Sequence, residues 1–177
     1  MAVTPDGRFA VSASEDITLK VWYAGTWRAA RTLEVEWHTE GPTEAVNDVA
    51  VTPDGCFAVS ASDDWRLYVW ELGTGQAIRI LKGHTETVTS VAVTPDGRFA
   101  VSASGDKTLK VWDLATGQPI TTLESHAPLW CCAITPDGKT ILAGDSLGAL
   151  HILDWRNPPL PRSAIKPQEC DRATGRR

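Results

Sequence analysis

The stretch Arg98 to Gln118, RFAVSASGDKTLKVWDLATGQ, decides the fold, because close copies of it stand at Arg8 to Arg28 and Cys56 to Gln76. Within it, Phe99 to Ser104 and Thr108 to Leu114 are rich in β-branched and aromatic residues and flank a Gly-Asp turn, with a second turn at Ala-Thr-Gly. That pattern predicts a hairpin written three times. The copies extend outward, since the tetrad Thr-Pro-Asp-Gly recurs at Thr4, Thr52, Thr94 and Thr135, at spacings of 48, 42 and 41.

A period of this size, opened by Gly83-His84 and closed by Val111-Trp112-Asp113, is the mark of a four-stranded propeller blade. Across residues 2 to 154 the chain resembles the WD-repeat β-propeller family. The resemblance implies an all-β chain of about four blades of four antiparallel strands, at about 1–40, 41–82, 83–124 and 125–155. Four blades rarely close a ring, so an incomplete, open propeller is expected, the last part of a longer one. The final repeat, His126 to Trp155, resembles the closing blade of bacterial WD-repeat regions attached to NACHT or NB-ARC signalling ATPases. No ATPase motif is present.

The repeats differ in instructive ways. Met1 to Thr4 matches only the end of an innermost strand. Trp27 replaces the glycine that closes the third-strand turn, which predicts a turn of changed shape. After Leu33 the chain gains six residues, so that Glu34 to Glu40 fills the place of Lys82 alone; such insertions map to loops on one face of an array. Residues 156–177, rich in proline, arginine and polar residues, read as a mostly disordered tail.

Composition sets limits. The 177 residues are 42% hydrophobic and 22% charged, which suits a globular domain with a sizeable core. The first residues fall inside a repeat and no apolar run is long enough to span a membrane, so the expected place is the cytoplasm, without membrane contact. Residues 1–155 carry 11 Lys and Arg against 20 Asp and Glu, an acidic body that argues against nucleic acid. Cys56, Cys131, Cys132 and Cys170 lack metal-ligand spacing and read as free thiols. His38 and His151 have no partner at ligand spacing, so neither metal nor cofactor is expected.

In the family, a histidine, a serine, an aspartate and a tryptophan form a hydrogen-bonded structural tetrad. The positions that match are His84, Ser102, Asp106 and Trp112. The matches are partial elsewhere: Ser12, Asp16 and Trp22 in the first blade, and Ser60, Asp64 and Trp70 in the second, where Pro42 replaces the histidine. The fourth blade keeps His126 alone. A Ser, His and Asp together could suggest a hydrolase, but the strand-turn-helix elbow of that chemistry is absent, so the chain is not expected to be an enzyme.

What remains for function is surface. The insertion and the turns between second and third strands share one rim, which gathers Trp37, Glu36 and Glu40 with Asp63 and Trp65. Tryptophans in an acidic field suit a basic peptide or protein face. The expected function is a protein-interaction scaffold or sensor, with self-association to complete the ring as a further expectation; the alternative is a truncated remnant without activity of its own.

Overall fold

In the computed structural model, residues 1–33 and 41–155 are described. They form four antiparallel meanders, each strand paired with the next in the chain. The first blade holds β1 (Ala2–Val3), β2 (Phe9–Ala13), β3 (Leu19–Tyr23) and β4 (Ala29–Leu33). The second holds β5 (Val46–Val51), β6 (Phe57–Ser62), β7 (Arg66–Glu71) and β8 (Gln76–Lys82). The third holds β9 (Val88–Val93), β10 (Phe99–Ser104), β11 (Thr108–Asp113) and β12 (Pro119–Glu124). The fourth has three strands among the described residues, β13 (Leu129–Ile134), β14 (Thr140–Asp145) and β15 (Leu150–Asp154). The array is all-β and open. The loop Glu34 to Glu40, with Trp37, Glu36 and Glu40, and the tail from residue 156 lie outside the described residues.

Each Thr-Pro-Asp-Gly tetrad builds the same turn. Thr94 Oγ1 donates to Asp96 Oδ1 and accepts from the Phe99 N–H, while Gly97 N–H bonds Thr94 O at a φ of 69°. Threonine supplies donor and acceptor, aspartate closes an Asx turn, and glycine takes the left-handed backbone at low cost.

Period-two alternation assigns each strand two working faces. In the third blade Ala100 and Trp112 join the core shared with Phe57, Val59 and Leu67 of the second. Phe99, Val101, Leu109 and Val111 point the other way, onto Leu129 and Ile141 of the fourth. Both faces are covered, and every residue of β6 and β10, FAVSAS in each, is buried. Each inner blade therefore has a face toward the preceding blade and a face toward the following one.

Two observations correct the sequence reading. The first-blade turn keeps its shape: Trp27 N–H bonds Tyr23 O at 2.7 Å, as Gly75 bonds Glu71 O and Gly117 bonds Asp113 O, and Trp27 adopts a φ of 54°. The flanking ladder dictates the turn, and the tryptophan bears the left-handed conformation. Cys56 is disulfide-bonded, whereas Cys131 and Cys132 are free; cysteine spacing alone does not tell a bonded thiol from a free one. His151, by contrast, takes a structural hydrogen-bond partner: its Nε2 stands 2.9 Å from Asp145 Oδ2, because β15 returns beside β14.

Candidate functional site

Strand pairing brings the third-blade residues together. Ser102 on β10 and Trp112 on β11 share the face toward the second blade, His84 enters from the loop before β9, and Asp106 sits in the β10–β11 turn. Trp112 Nε1–H donates to Ser102 Oγ at 2.8 Å, and Ser102 Oγ meets His84 Nε2 at 2.7 Å. His84 Nδ1 stands 2.8 Å from Asp106 Oδ2, which also accepts the Thr85 N–H, while Asp106 Oδ1 accepts from Thr108 N–H and Oγ1. Burial, the larger influence, pushes the imidazole pKa below its ordinary value against the opposing pull of Asp106. Burial also acts to raise Asp106, but bonds from Thr108 and His84 outweigh it and leave the carboxyl below its ordinary value. The consistent state is a neutral His84 with the proton on Nδ1, beside an ionised Asp106.

Serine, histidine and aspartate thus stand in the relative order of a hydrolytic triad. Ser102 is nevertheless wholly buried and already receives the indole N–H, so a carbonyl carbon has no path to within the roughly 3 Å that attack requires. The arrangement saturates buried polar groups and clamps a loop, a turn and two strands to one another.

The other blades hold pieces of it. Trp22 Nε1–H donates to Ser12 Oγ, but Asp16 is exposed and spends its carboxylate on Thr18. In the second blade Trp70 donates to Ser60, and Asp64 is rescued without a histidine: its Oδ2 accepts Tyr68 OH at 2.6 Å and the Thr43 N–H. Burial, helped by Asp64, pushes the Tyr68 phenol pKa up and keeps it a donor. The signal for this exchange was in the sequence, because Tyr68 stands where the other two blades carry Lys20 and Lys110, in the one repeat that has Pro42. In the fourth blade His126 is exposed, and His151 with Asp145 forms a separate pair.

A second polar system went unread. Asn47, Thr89 and Trp130 occupy the β-bulge of each inner strand. Asn47 Nδ2 donates to Val88 O and Thr89 Oγ1 to Leu129 O, each in the following blade. The next residue continues the link: Asp48 Oδ2 accepts Ser90 Oγ and Val91 N–H, and Ser90 Oγ accepts Cys132 N–H. A polar pair inside an otherwise apolar strand, VNDVAV or VTSVAV, is the clue that could have revealed it.

On the rim of the second-to-third-strand turns, Trp65 is 54% exposed at a φ of 71°, and Ile17, at the same place in the first blade, is exposed at 72°. Glu15, Glu44 and Glu86 are exposed on this rim. Asp63 is half-buried and its Oδ1 accepts from Asn47 Nδ2, so it braces the bulge. Among the described residues, no group of three or more His, Cys, Asp or Glu could hold a metal ion.

The family described as WD domain, G-beta repeat matches residues 1–23, 33–71, 75–113 and 117–154. Each later match opens near an outer strand and runs through three strands of the following blade, so the repeating sequence unit is offset by one strand from the sheet. No curated protein matches the chain.

Proposed function

Because the chain belongs to the family of WD domain, G-beta repeat proteins, we propose that it is a non-enzymatic interaction module whose rim around Trp65 takes a basic peptide or protein face. The observation that carries this reading is Trp65 itself. A large indole is held in solvent at a left-handed backbone position, where glycine would fit without strain and where the fourth blade does carry Gly148. Glu15, Glu44 and Glu86 surround that rim with negative charge, which suits a Lys- or Arg-bearing partner. The resemblance of the last repeat to blades joined to NACHT or NB-ARC signalling ATPases supports a sensing role within the same reading.

The test is a panel of fluorescent peptides, basic and acidic, titrated by anisotropy. Trp65→Gly is expected to weaken basic-peptide binding at least tenfold. Trp27→Gly serves as control, because Trp27 is also exposed at a left-handed backbone position but lies at the opposite rim of the meander. Equal effects of the two substitutions, or a preference for acidic peptides, would refute the assignment.

A further inference from the structure

Among the described residues, one face of the first blade and one of the fourth are left uncovered, and those two faces are the two halves of the contact that repeats inside the chain. In the third blade Leu109 and Val111 are 1% and 0% exposed under the fourth blade; their counterparts Leu150 and Ile152 are 63% and 67% exposed. At the other end, Trp22 and Ser12 are only half-buried, whereas Trp70, Trp112, Ser60 and Ser102 are wholly buried by the preceding blade.

The turn contacts repeat in the same way. A Cβ built on Gly55 would lie 3.7 Å from Pro5, one on Gly97 3.3 Å from Pro53, and one on Gly138 3.4 Å from Pro95. Each proline thus covers the glycine of the following blade's turn. The space at Gly7 is open, and Pro136 begins the corresponding turn of the fourth blade.

The departures from the repeat also match. Where Asn47-Asp48 and Thr89-Ser90 bond the backbone of the following inner strand, the fourth blade has the bulkier, apolar Trp130-Cys131, with Trp130 exposed. The inner strand of the first blade is the two-residue Ala2–Val3, paired with Val11 and Ala10, so it offers a short edge to such bonds. A bulky indole on one face meets a short strand on the other.

We propose that two copies of this chain associate head to tail, the fourth blade of each covering the first blade of its partner, and close as an eight-bladed dimer. The contact continues the series of blade interfaces already present three times in the chain. It also covers the exposed Trp130, Leu150 and Ile152, an apolar cluster of the kind that soluble monomers rarely present.

Sedimentation equilibrium over a hundredfold concentration range tests this with four variants. Ile152→Asp and Leu150→Asp place a charge on the fourth-blade face. Val3→Asp and Lys20→Glu alter the first-blade face, since cross-strand pairing puts Val3 and Ala10 with Trp22, and Lys20 with Ser12. Near-UV circular dichroism selects the variants that remain folded. The expected result is twice the monomer mass for the unaltered chain and at least tenfold weaker association for folded variants of either face. A mixture of an altered first blade with an altered fourth blade should recover part of the association, because one of its two contacts is intact. A monomer throughout, an open-ended ladder of masses, or a loss confined to fourth-blade variants would each overturn the closed head-to-tail dimer.

Discussion

At the scale of single residues, His84 shows how one buried side chain ties separate segments together. It joins the loop before β9 to β10 through Ser102 and to the β10–β11 turn through Asp106. Removing a member strands buried polar groups, which costs about 1–3 kcal/mol. Trp112→Phe should therefore lower the urea midpoint clearly more than Trp22→Phe, whose indole is half-buried and ends on Ser12 alone; equal losses would refute the difference. The same network sets a pH dependence. With the folded imidazole held below its ordinary value of 6.5, the unfolded chain binds the extra proton, so stability declines as pH falls below about 6.5. Asp106 adds a further loss as its carboxylate is protonated at lower pH. Melting temperature against pH should thus slope downward from pH 7 to 5, and the slope should flatten in His84→Ala.

At the scale of elements, the turns and bulges were only half legible. The Thr-Pro-Asp-Gly turns could be read directly, because threonine, aspartate and glycine each have a local function in them. Trp27 could not, since the hydrogen-bonded ladder of β3 and β4 outweighs the preference of one residue. Trp27→Gly should relieve that strain and stabilise the chain by about 1 kcal/mol in urea melts. The polar bulge pairs were missed because their partners lie in the neighbouring blade. Asp48→Ala should remove the acceptor of the Val91 N–H and speed its hydrogen exchange. Tyr68 makes the same point: as a residue it looks like one more apolar strand position, and only Asp64 shows it to be the substitute for a missing histidine.

At the scale of the whole molecule, stability is graded along the array, because each blade is supported only by its neighbours. The second and third blades are covered on both faces, and their β6 and β10 contain no exposed residue. Among the described residues, the first and fourth pack against a blade on one side. Amide exchange should accordingly be slowest in β6, β7, β10 and β11 and fastest in β1 and β15 at concentrations where the chain is monomeric. Uniform protection would mean that the end blades are sealed.

The four meanders, their Thr-Pro-Asp-Gly turns and the serine-tryptophan pairs were determined by the sequence, because each depends on contacts within one repeat of about forty residues, where period and spacing place the partners. The tertiary structure alone decided that Tyr68 takes the place of the missing histidine at Asp64, that Asp16 turns to Thr18, and which bulge residues bond a neighbour. The bulge bonds and the covered faces depend on packing against the next blade, about forty positions away; Asp64 finds Tyr68 only four positions along its own repeat, and in both cases the local pattern marks a departure from the repeat without naming the partner.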